Sequence, residues 1–138
     1  MNRQELQNIS RTRRKEALTL LKAKRYAGAY YLIGYSIECA FKSCIAKQTR
    51  KYDFPNKELT NKAHTHKLEQ LLRLAGLEPA LRKDMKQNRK LEVNWAIVKD
   101  WVETSRYDMT LSYSQARDLY YACTARKNGI LNWVRKKW

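Results

Sequence analysis

The residues best placed to do chemistry lie in and around one stretch, Arg25 to Lys47, reading RYAGAYYLIGYSIECAFKSCIAK. Glu38 and Lys42 interrupt an otherwise aromatic and aliphatic run. Their four-residue spacing sets them one turn apart on a single helix face. The rest of the run is apolar nearly all round, the pattern of a helix buried in a bundle or at an oligomer interface. A carboxylate in such a place is costly unless paired and hydrogen-bonded, so Glu38 demands a partner. Lys42 reads as its i,i+4 companion or, alternatively, as a phosphate contact. His64 and His66, the only histidines, sit two apart at a helix start and so point in different directions. Capping and backbone bonding are ordinary roles for them; general base or phosphate contact is the sharper alternative. With no carboxylate or thiolate ligands nearby in sequence they make a poor zinc site, so no metal and no cofactor are expected.

These groups have to be positioned by helices. Ser10 reads as an N-cap for a first helix running to about Lys24, with Ala17, Leu18, Leu20 and Leu21 as its apolar stripe. The central helix follows from about Tyr26 to Thr49. A loop, KYDFPNKELTNKAHT, leads to a third helix from near His66 to Gly76, a natural C-cap. Another helical region opens after Glu78-Pro79 and runs to about Thr104, with a break near Asn88. SRYDMTLSY reads as a connection. Ser114 then caps a last helix in which Gly129 marks either a close helix approach or a local break. About five helices in one domain, residues 1–138, describe an all-α, up-and-down helical bundle.

Composition agrees. The chain has 138 residues, enough for one buried core, and its four Gly and two Pro argue against a sheet protein. No apolar run is long enough for a membrane span, and MNRQELQNISRTRRKEA lacks the apolar core of a secretory signal. Cys39, Cys44 and Cys123 are odd in number and match no zinc or CxxC spacing, which reads as free core thiols in a reducing cytoplasm. Twenty-nine Lys and Arg against thirteen Asp and Glu leave a net charge of +16. The excess clusters at Arg11, Arg13, Arg14, Lys15, Lys22, Lys24 and Arg25, again at Arg82 to Lys90, and again at Arg126 to Lys137. A field of that sign attracts nucleic acid or an acidic protein partner.

The segments AYYLIGYSIECAFKSCI and THKLEQLL, with the Arg106-Tyr107 pair ahead of the final helix, together resemble the HEPN family (higher eukaryotes and prokaryotes nucleotide-binding). The similarity runs from about Lys24 to Val134. It implies an all-helical bundle that forms homodimers, its central helices packed around a shared cleft. Many relatives act in toxin–antitoxin, antiviral or RNA-processing systems, some beside a nucleotidyltransferase-type partner, and a large subset are metal-independent ribonucleases. That subset carries Arg followed four to six residues later by His. Here the nearest arginine upstream of His64 is Arg50, fourteen residues away. The departure weighs against ribonuclease activity.

The resemblance implies two roles for Arg106. In one it enters the cleft and grips a phosphate; in the other it is the partner of Glu38, locking the last helix to the central one. Candidate phosphate or nucleic-acid contacts are thus Lys42, Arg106, Tyr107 and Arg25, and candidate catalytic residues are His64, His66 and Arg106. Tyr26, Tyr30, Tyr31 and Tyr35, with Trp133 and Trp138 among basic residues, either pack or stack on bases. Three functions follow: an RNA- or nucleotide-binding domain, an unorthodox metal-independent RNA endonuclease, or a structural subunit of a larger complex.

Overall fold

The computed structural model describes residues 1–48 and 57–138, and among them the chain is all-helical, with eight α-helices and one 3-10 segment. The first pair organises the rest. Helix α1, Arg3–Lys22, is opened by a capping box in which the Asn2 side chain accepts from the Glu5 amide and the Glu5 carboxylate accepts from the Asn2 amide. It closes with the Arg25 amide donating to the Leu20 carbonyl and the Lys24 amide to that of Leu21, Lys24 standing at φ 61°. Helix α2, Tyr26–Gln48, then returns antiparallel to α1.

Ser10 is therefore not the expected cap. It lies fully buried within α1, where its Oγ donates to the Ser36 carbonyl at 2.8 Å and the Ser36 Oγ donates to the Ser10 carbonyl at 2.8 Å. Two small side chains that satisfy each other across the seam let the helices approach closely.

Five expected helices become eight among the described residues because the last two expected segments are each broken in two and a further helix forms in the expected loop. Residues 57–62 form helix α3, Lys57–Lys62, within the expected loop, whose first part lies outside the described residues, as does the expected end of α2 at Thr49. Helix α4, Leu68–Leu74, ends as expected, with Gly76 at φ 71° and the Leu77 amide closing onto the Leu72 carbonyl. Helix α5, Glu78–Gln87, is separated from α6, Arg89–Val98, by an extended Asn88 whose side chain caps α6 by accepting from the Leu91 amide. The stretch expected to stay helical to Thr104 stops at Val98. After a turn through Trp101 it tightens into the 3-10 segment Glu103–Tyr107.

Ser112, not Ser114, caps helix α7, Tyr113–Thr124, in a second capping box with Gln115. Gly129 marks a break rather than mid-helix packing, and helix α8 spans Ile130–Arg135. A Cβ at Gly129 would stand 2.5 Å from the Ala125 carbonyl oxygen, so the tight approach needs glycine.

Helix α2 is the axle. Ile33, Ile37, Ala40 and Phe41 are fully buried, meeting Ala17 of α1, Leu68 and Leu71 of α4, Val98, Leu119 of α7 and Ile130 of α8 in one core. Cys39, Cys44 and Cys123 are buried and free. Gly34 has a role that composition hides: a Cβ there would stand 2.1 Å from Nε1 of the fully buried Trp101. The indole lies flat on the helix backbone, and this contact holds the 3-10 segment against α2. No helix among the described residues is long and apolar enough to cross a membrane.

Candidate functional site

Two charged regions stand out, and they are built on opposite principles. The first is a chain of alternating charges. Glu38 is nearly sealed, its side chain 2% exposed. Its Oε2 accepts from the Lys42 ammonium at 3.1 Å and its Oε1 lies 3.0 Å from Nδ1 of His66. The other ring nitrogen, Nε2, lies 3.1 Å from Oε2 of Glu103, whose Oε1 pairs with the Arg106 guanidinium at 2.9 Å. Three segments converge here: α2, the strand of chain ahead of α4, and the 3-10 turn that brings Glu103 and Arg106 together at i,i+3.

The expected direct Glu38–Arg106 ion pair is thereby replaced. Lys42 and His66 meet Glu38, and Arg106 reaches it only through Glu103 and the imidazole. The physical reason is reach. Arg106 pairs within its own tight turn, while His66 enters from the segment before α4 and fills the gap. Both imidazole nitrogens face carboxylate oxygens, Nδ1 that of Glu38 and Nε2 that of Glu103, and the two contacts clamp the ring between α2 and the 3-10 turn. Arg106 is half-exposed above the Tyr107 ring, 4.8 Å from its centroid, and hydrogen bonding to Tyr107 and then Tyr31 holds it above the usual arginine range.

Of the remaining sequence candidates, His64 and Arg25 form no hydrogen bond or ion pair with this chain of charges among the described residues. His64 is exposed and lines a groove with Lys42 and Ala63. Tyr107 is 70% exposed. Arg25 is exposed in the α1–α2 turn, about 20 Å along the helix from Glu38 by its rise per residue. Tyr31 and Tyr35 stack at 6.0 Å between centroids, and Tyr31 packs on Trp101. Burial, with Cys39 next, pushes the Tyr35 hydroxyl up to about 12, and burial with the Glu38 charge pushes the Cys39 thiol up to about 11. The thiol stays protonated at neutral pH and is not an activated nucleophile. Among the described residues no group of three or more His, Cys, Asp or Glu is placed to hold a metal ion.

The second region is a groove of about 430 Å³ between α1 and the α7–α8 end of the bundle. Arg11, Arg14 and Lys15 of α1 face Arg135 of α8 across it, and Leu18, Leu131 and Tyr120 form an apolar floor. Trp138 stands at its edge, with the Arg11 guanidinium 5.0 Å and the Arg135 guanidinium 5.7 Å from its ring. Among the described residues none of these four cations forms an ion pair with a carboxylate; Arg11 bonds only the Asn8 amide oxygen. Burial first, and the neighbouring Arg11 and Arg14 next, hold Arg135 below the usual arginine range. Like charges are thus held together without compensation.

Sequence reasoning noted the first and last basic clusters separately and missed that they meet. The available signal was Trp138 set among arginines and lysines at the end of an amphipathic helix. The other tryptophan there, Trp133, is mostly buried and donates from Nε1 to Asp84 at 2.8 Å, so it packs rather than stacks on a ligand. No family model matches the chain, and neither a curated protein nor a solved structure matches it.

Proposed function

We propose that the protein is an RNA-binding module that holds its ligand without cutting it. The observation that carries this reading is the α1–α8 groove, where Arg11, Arg14, Lys15 and Arg135 converge and, among the described residues, none is ion-paired with a carboxylate. Holding four like charges together disfavours the empty fold, and a polyanion removes that penalty while releasing its own counterions. Trp138 supplies aromatic surface beside the cations, the combination that suits single-stranded nucleic acid. The net charge of +16 extends the attraction beyond the groove.

In this reading the chain is an HEPN-like domain of the cytoplasm, working as a homodimer in a toxin–antitoxin or phage-defence system. An acidic partner, such as a nucleotidyltransferase-type antitoxin, would then compete with RNA for the same basic surface.

The test is the salt dependence of binding to a short single-stranded RNA. Four phosphate contacts predict a slope of about −3 in log affinity against log salt, at about −0.7 per contact. Affinity that barely changes between low and physiological salt would remove the proposal. The endonuclease reading rests on the convergence of Glu38, His66 and Arg106 in one hydrogen-bonded chain. Both ring nitrogens of His66 lie against carboxylates there, so a substrate would have to displace one of those contacts to reach the ring. Metal-free incubation of the wild-type protein with structured RNA should leave it intact; cleavage that His66→Ala abolishes would establish that reading instead.

A further inference from the structure

We propose that the α1–α8 groove is a receptor for the phosphorylated terminal nucleotide of an RNA strand. The proposal rests on the RNA-binding reading and gives it a specific site. Charge is the first argument. A backbone phosphodiester carries one negative charge, whereas a terminal phosphomonoester carries nearly two at neutral pH with three acceptor oxygens. Three guanidiniums and one ammonium around a single opening, uncompensated by any carboxylate among the described residues, match the monoester better than the diester.

Size and lining are the second argument. A bare phosphate would leave most of about 430 Å³ empty, and an anion hole has no use for the Leu18 and Leu131 floor. A volume of this order with an apolar floor and a cationic rim is what a base joined to a phosphate requires.

Positioning is the third. Arg11 and Arg135 repel each other, yet both are drawn to the Trp138 ring, which fixes their guanidiniums at one place before a ligand arrives. Trp138 is thus a positioning residue for the arginines as well as a stacking surface.

Calorimetry with unlabelled short single-stranded RNAs of one sequence tests this, comparing strands with a 5′-phosphate, a 3′-phosphate and no terminal phosphate. One phosphorylated strand should bind about tenfold more tightly than the hydroxyl-ended strand, the effect of one added charge-assisted contact. A nucleoside monophosphate should displace it where the nucleoside does not. If that displacement occurs without any preference among the three strands, the groove takes free nucleotide and the RNA-end assignment is overturned. Arg14→Gln and Arg135→Gln should each abolish the preference. Arg82→Gln, on the exposed side of α5, should leave the ratio unchanged and shows that lost charge alone is not the cause. Equal affinity for all three strands, with no competition by monophosphate, overturns the site while steep salt dependence leaves RNA binding standing. No binding by any strand overturns both.

Discussion

The clasp around Glu38 and the groove around Arg135 contain similar side chains and put them to opposite uses. In the clasp, Lys42, Glu38, His66, Glu103 and Arg106 alternate between basic and acidic side chains and every step is a contact of 2.9 to 3.1 Å. In the groove, four cations face one another and none is ion-paired with a carboxylate among the described residues. A buried charge that is fully answered holds three segments in register and has little left to offer a ligand. A set of like charges that the fold gathers and leaves unanswered is incomplete without something from outside. His66 and Arg106, the catalytic candidates, sit in the first, and Arg11, Arg14 and Arg135, from the basic clusters expected to attract nucleic acid or an acidic partner, sit in the second.

The sharpest way to break this contrast is at Gly34. Gly34→Ala drives a methyl into the Trp101 ring, and we expect a loss of about 3 kcal/mol by chemical denaturation, as for overpacked cores. The 3-10 segment that supplies Glu103 and Arg106 should loosen with it. Unchanged stability would mean that Trp101 does not anchor the clasp.

Next in size, His66→Ala leaves Glu38 buried with Lys42 alone, at a cost of about 2 kcal/mol. Its RNA affinity should stay within about twofold of wild type, since the surface charge is nearly unchanged. Arg14→Glu should do the converse, weakening RNA binding about tenfold or more without lowering the unfolding midpoint of the free protein, since it relieves repulsion in the groove. A variant that moves both measurements together would erase the division between the two regions.

Arg106→Ala should leave the denaturation midpoint nearly unchanged, because its pair with Glu103 is solvent-screened on the arginine side. The mildest effect near neutrality concerns pH. The native state keeps protons on the Cys39 thiol and Tyr35 hydroxyl up to about 11 and 12, while the unfolded chain releases them nearer 9 and 10. The unfolded state therefore binds fewer protons above pH 9, and stability should fall as pH rises from 9 through 12. A flat denaturation midpoint over that range would contradict the burial of these groups.

Much of the fold was legible because its signals are local. Gly76 ended its helix, Asn88 broke the long one, and the apolar faces of α1, α2 and α7 were readable from spacing. The missed caps were also local: Asn2 with Glu5 and Ser112 with Gln115 are capping boxes written in the sequence, and Ser10 and Ser114 were chosen over them. The site was less legible. The need for a partner at Glu38 followed from burial, but the choice among Lys42, His66 and Arg106 depended on which segment reaches the gap, and His66 is 28 residues away.

The order of apolar and polar residues by itself determined that the chain would be helical, where α1, α4 and α5 would stop, that a sealed carboxylate would need an answer, and that positive charge would be in large excess. These depend on neighbours within a turn or two, or on simple totals. Tertiary structure alone decided which charges would be answered. Glu38, His66 and Glu103 meet, and Arg11, Arg14 and Arg135 meet, only after α2 has drawn distant segments onto its surface. Coulombic pairing falls off within a few ångströms, so what each charge does is set by its neighbours in space.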